Sequence, residues 1–135
     1  MTKRLTYIAA FCLYMVAILY LCLMKPDNLP EAELFIFGIP ADKLVHLTMF
    51  LPFPILIYMI FLDKSRSRWR DIMILTAAAA LGTGAAFGTE YLQSLTQYRS
   101  CDIHDTYADL VGLALGCALI LAHIIFSKKG AKNRK

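Results

Sequence analysis

Charge is scarce in this sequence, and over long stretches it is missing altogether. Only 18% of the residues are charged, against 59% hydrophobic. A soluble domain of 135 residues has more surface than core and cannot hide that much apolar area, so a freely soluble fold is excluded. Low-complexity segments and internal repeats are lacking too, which leaves one domain over residues 1–135. The four cysteines make no disulfide framework. Cys12 and Cys117 fall midway along apolar runs, as small buried hydrophobes do. A Cys22–Cys101 bridge stays open, because spacing alone does not supply disulfide geometry. No small-x-small cleavage site follows the first apolar run, and neither Cys12 nor Cys22 lies in a lipobox-like context. That run therefore reads as an uncleaved span, not a signal peptide.

What is there is clustered hydrophobicity. A bilayer-spanning helix needs about 20 mostly apolar residues, since each rises about 1.5 Å through about 30 Å of hydrocarbon. Four stretches qualify, at about 5–24, 44–62, 72–93 and 107–127. The first contains no charge. The second is interrupted only by His46, Pro52 and Pro54, and the prolines are expected to bend or unwind it. The expected fold is an all-α membrane protein, a four-transmembrane-helix bundle.

The basic residues set an orientation. Lys3 and Arg4, then Lys64, Arg66, Arg68 and Arg70, then Lys128, Lys129, Lys132, Arg134 and Lys135 account for 11 of the 14. All lie on one side of an even-helix topology, which the positive-inside rule makes cytoplasmic, with both termini inside. The net charge of +4 is then an insertion code with some attraction to anionic lipid, and no footprint of nucleic acid. The external connection from Lys25 to Asp42 holds Pro30–Phe37, too short to span and suited to a short interfacial helix or half-inserted loop. Gly38 and Pro40 end it, and Asp42 stands where the second helix needs an N-cap. Tyr20, Tyr91, Tyr98 and Tyr107 fall at the outer interface, Tyr7 and Trp69 at the inner one, as an aromatic belt. Gly84 with Gly88, and Gly112 with Gly116, form small-xxx-small pairs that serve either packing within the bundle or a homodimer.

The remaining charges converge. Asp42, Lys43 and His46 open the second helix, with Asp42 and His46 at i,i+4. Glu90 lies about 28 Å along the third helix from Asp71, near the outer surface, and Gln93 is one turn further. Arg99 and Asp102 occupy the outer loop, and Asp105 and Asp109 are i,i+4 at the start of the fourth helix. Five acids face two bases, so three negative charges must be solvated, protonated or balanced by a cation. Three readings follow: a stabilising ion network, a cleft for a ligand or substrate, or a metal site drawn from His46, Glu90, Asp105 and Asp109. No HExxH or cysteine-rich spacing supports the last. Acidic stepping stones are missing from the inner half, which weighs against a proton-coupled transporter.

The same residues carry a family resemblance. Asp42-Lys43-Leu44-Val45-His46 is similar to the D-K-x-x-H that opens the second span of VanZ-like membrane proteins. Glu90-x-x-Gln93, Arg99, Asp105, Gly112 and Gly116 resemble that family's E-x-x-Q…R…D…G-x-x-x-G series, over residues 40 to 117. The family usually has Asn four residues after the motif Asp, where this chain has Asp109. The resemblance implies a bacterial cytoplasmic-membrane protein, in a family named for low-level resistance to the glycopeptide teicoplanin. It assigns no reaction. Expected partners are membrane lipids and a lipid-linked or glycopeptide ligand.

Overall fold

In lipid, a chain must satisfy its backbone polar groups internally, which leaves the helix as the form for apolar runs of this length. The computed structural model follows that rule and describes residues 2–24, 35–36, 38–63, 67–96 and 102–132. In chain order these form α1 (Thr2–Leu23), β1 (Phe35–Ile36), β2 (Ile39–Pro40), α2 (Ala41–Phe50), α3 (Pro52–Ile60), α4 (Arg68–Ser94) and α5 (Ile103–Lys132). With α2 and α3 taken as one span, four helices are long and apolar enough to cross a membrane. The all-α membrane fold expected from the sequence is the fold observed.

Two span boundaries and one connection differ from a pure hydropathy reading. The second span starts at Ala41, directly after Pro40, which sits in an extended conformation and makes no side-chain cap bond. Asp42 is therefore not the N-cap but a first-turn residue, where its charge suits the positive end of the helix. The reason is β2, which holds Pro40 in a two-residue antiparallel pairing with Phe35. Gly38 turns that hairpin with a φ of 78°, a left-handed conformation that glycine adopts at no steric cost. Most of Pro30–Phe37 lies outside the described residues, but Phe35 and Ile36 are strand and not helix. The fourth span also begins early, at Ile103, because Asp102 caps it: its Oδ1 accepts from the His104 amide at 2.9 Å.

The break between α2 and α3 falls at Leu51, beside Pro52 and Pro54. The prolines remove two amide donors there. Across from this turn the Tyr14 hydroxyl of α1 donates to the Met49 carbonyl. The α2–α3 span leans on α5 through glycine. A Cβ on Gly112 would run into the Leu47 carbonyl, and one on Gly116 into the Leu51 carbonyl and Pro54. Such close backbone approach is how helices associate where water supplies no driving force. Gly84 and Gly88, by contrast, face open space. The core is completed by Phe53, Ile57, Ala78 and Leu113, with Phe11 and Tyr14 of α1 laid against them, and by Tyr58, Ile120 and Ile124 further along. Leu13, Val16, Leu81 and Phe126 point outward, each more than half exposed, as lipid-facing side chains do. Tyr20, Tyr91, Tyr107 and Trp69 are likewise exposed near helix ends. Cys12 and Cys117 are free thiols. Cys22 is buried, and Cys101 and Tyr98 lie outside the described residues.

Candidate functional site at the polar end of the bundle

The start of α2, the end of α4 and the start of α5 meet at one end of the bundle, and their polar residues fall into two layers. The upper layer is a rim around one ammonium. Lys43 Nζ lies 2.9 Å from Asp105 Oδ1, 3.1 Å from Asp102 Oδ2 and 3.6 Å from Asp42 Oδ2. Asp42 is the outermost, with 59% of its side chain exposed. The Asp102 carboxyl is held below the usual carboxylate range, first by the His104 amide bond and then by Lys43.

The lower layer lies about one helical turn deeper and is closed off from solvent. His46, Glu90 and Asp109 are 4%, 3% and 0% exposed. His46 Nδ1 sits 3.0 Å from Asp109 Oδ1, and its Nε2 sits 3.7 Å from Asp105 Oδ2. With the proton on Nδ1, Asp109 orients the ring and Nε2 presents a lone pair. Glu90 Oε2 accepts from the Asp102 amide at 3.2 Å, which ties the end of α4 to the cap of α5. The other two oxygens, Glu90 Oε1 and Asp109 Oδ2, are buried and without a hydrogen-bond partner among the described residues. Each of His46, Glu90 and Asp109 offers a donor atom within 4.8 Å of the other two.

Helix periodicity lines the two layers up on shared helix faces. Residues 42 and 46, and residues 105 and 109, repeat at i,i+4, so each helix presents one rim residue and one deep residue on a single face. Burying the deep set is costly. An unpaired buried carboxylate costs several kcal/mol unless a cation or hydrogen bonds offset it. Lys43 is committed to the rim, so the imidazole of His46 is the basic side chain that stands beside Glu90 and Asp109 among the described residues.

One of the expected residues stands apart from this constellation. Gln93 is buried, but its amide donates to the Cys22 carbonyl at 3.1 Å and fastens α4 to the end of α1. Arg99 lies outside the described residues. Of the four metal candidates, Asp105 belongs to the rim, with one oxygen on Lys43, while the other three form the deep set. Sequence reasoning passed over Thr89 and Thr106, both buried in the same region, and Tyr14. A hydroxyl in an otherwise apolar span was the available signal for Tyr14; the two threonines look like ordinary helix residues.

The sequence matches the VanZ/LLP1 family over residues 11–126, a segment that contains every residue of both layers. The chain belongs to that family. Among curated proteins, this VanZ/LLP1 member is similar to the uncharacterised protein C11E3.10 of the fission yeast Schizosaccharomyces pombe, at 32% identity over 88 residues. That match covers 65% of this chain and 49% of the relative, so the VanZ/LLP1 chain spans about half the relative's length. No solved structure matches it.

Proposed function

We propose that this VanZ/LLP1 protein lies in a bacterial cytoplasmic membrane with both termini inside, and that its polar end is an external cleft for an amine-bearing lipid headgroup. The supporting observation is the rim. Asp42, Asp102 and Asp105 gather around the Lys43 ammonium within 4 Å. A group of carboxylates that already holds one primary ammonium, and still carries more negative than positive charge, suits a second. The end of a membrane-spanning helix is also the depth at which headgroups lie. The orientation rests on Arg68 and Arg70 at the opposite end of α4 and Lys3 and Arg4 at the start of α1, by the positive-inside rule. A relative in a eukaryote favours a ligand that bacterial and eukaryotic membranes share; a phospholipid headgroup is one and a peptidoglycan precursor is not.

Native mass spectrometry on protein extracted from mixed vesicles tests the reading. Phosphatidylethanolamine should be retained over phosphatidylglycerol, and Asp42→Asn with Asp102→Asn should erase the preference. Equal retention of both lipids contradicts it. Preferential capture of a lipid-linked wall precursor or a glycopeptide would move the ligand to the envelope and revive a resistance role.

The His46–Asp109 pair supports a second reading, an enzyme acting on an outer-leaflet substrate. An imidazole oriented by a carboxylate is equipped for general acid–base work. Headgroup turnover in proteoliposomes that disappears in His46→Gln would favour it over simple binding.

A further inference from the structure

The deep layer has a chemistry that the rim does not need. A headgroup amine can be held by Asp42, Asp102 and Asp105 alone, which leaves the buried His46, Glu90 and Asp109 unexplained. We propose that these three side chains form a divalent transition-metal site, fitted best to zinc, beneath the rim.

Three independent features meet there. The donor atoms are close enough to share one ion, each within 4.8 Å of the others. Ligands about 2.0–2.2 Å from a tetrahedral centre stand about 3.3–3.6 Å apart, so the three donors would draw together by about an ångström on binding. Next, Glu90 Oε1 and Asp109 Oδ2 are buried and have no hydrogen-bond partner among the described residues, although unpaired buried oxygens are rare in folded proteins. Finally, the charge matches. Two carboxylates with a neutral imidazole carry the charge that one divalent ion cancels, in a place where uncompensated charge is costly.

The donor set selects among ions. Calcium takes six to eight oxygens, and magnesium keeps most of its waters. One imidazole nitrogen with two carboxylates suits zinc or manganese. Three protein ligands leave a coordination position open. The ion would lie between His46 Nδ1 and Asp109 Oδ1, now 3.0 Å apart, and the ring proton would sit on Nε2, where Asp105 Oδ2 at 3.7 Å would help to orient the imidazole. Glu90, anchored through Oε2 to the Asp102 amide, would couple metal occupancy to the rim.

The inference stands whether or not the rim binds a lipid, and its test does not use one. The intact protein in nanodiscs is stripped with chelator, then titrated separately with zinc, manganese, magnesium and calcium. Elemental analysis after desalting should give about one zinc per chain. The melting temperature should climb with the logarithm of free zinc, as binding to the folded state requires, and magnesium and calcium should do little. Glu90→Gln, close to isosteric, should weaken zinc binding at least about tenfold while remaining folded by circular dichroism, and His46→Gln should do the same. Asp63→Asn, which removes an exposed acid at the opposite end of the bundle, should bind zinc as the parent does. Zinc far below one per chain with no rise in melting temperature would overturn the proposal. So would parent-like zinc binding by both Glu90→Gln and His46→Gln, or a loss in Asp63→Asn equal to theirs.

Discussion

Gly112→Ala is the substitution whose cost the packing fixes most closely. A methyl group added there meets the carbonyl oxygen, carbonyl carbon and Cα of Leu47, all backbone, and none of these can swing aside as a side chain could. Overpacking of this kind costs about 1–3 kcal/mol. Alanine also returns about 1 kcal/mol of helix propensity relative to glycine, which sets the net loss at about 0–2 kcal/mol. Gly84→Ala is the internal control. It lies on a neighbouring helix with nothing near its Cβ position, so the propensity gain should stand alone and the variant should be neutral or up to about 1 kcal/mol more stable. The difference of about 1–3 kcal/mol is measurable by reversible unfolding in mixed micelles followed by helical circular dichroism. Function is touched as well. Gly112 follows Asp109 by three residues, and Leu47 follows His46, so spreading α2 from α5 there stretches the His46–Asp109 contact. Equal stability of Gly112→Ala and Gly84→Ala would refute the close α2–α5 approach and the site geometry that depends on it.

Further consequences are open to measurement. Asp109→Asn introduces the residue usual in the resembling VanZ-like series; an amide oxygen can still accept from His46 while one buried charge is removed, so chelated protein should be equally or more stable, and a loss of several kcal/mol in chemical unfolding would show the carboxylate to be structural. The Asp102 carboxyl is held below its ordinary range by the His104 amide and Lys43, so its stabilising effect is complete above about pH 4, its unfolded value, and fades as the pH falls through the lower folded value. Asp102→Asn should flatten that acid limb in a pH series of melting temperatures, and an unchanged limb would count against the cap. Tyr14→Phe deletes the bond to the Met49 carbonyl and should cost about 0.5–1.5 kcal/mol, read by the same micelle unfolding; no loss would mean that the α2–α3 turn is held without it.

Much of this arrangement can be read from the chain itself. The four spans announce themselves because lipid demands long apolar runs, and helical periodicity alone places Asp42 with His46 and Asp105 with Asp109. Hydropathy is a poor guide to where helices begin, however. Ala41 and Ile103 start theirs in polar sequence, because a strand-held Pro40 and the Asp102 side chain decide the matter locally. Nor could periodicity divide the polar residues into a rim and a buried layer. That division depends on how closely α2 approaches α5, which Gly112 and Gly116 set through contacts with residues far away in sequence. Gln93 shares a helix face with Glu90, yet serves the end of α1, a pairing visible only once the helices are assembled.

At the centre stands the claim that the buried carboxylates are kept for a ligand and not for stability. The stability of Glu90→Gln in lipid, compared with the parent protein in the presence of chelator, tests it most directly. The substituted side chain would keep an oxygen for the Asp102 amide and remove a buried charge. Unfolding should then need as much free energy as in the parent, or more, the usual signature of a site held at the expense of stability. A loss of about 3–5 kcal/mol, as expected when one partner of a buried ion network is removed, would show instead that Glu90, His46 and Asp109 exist to hold the helices together.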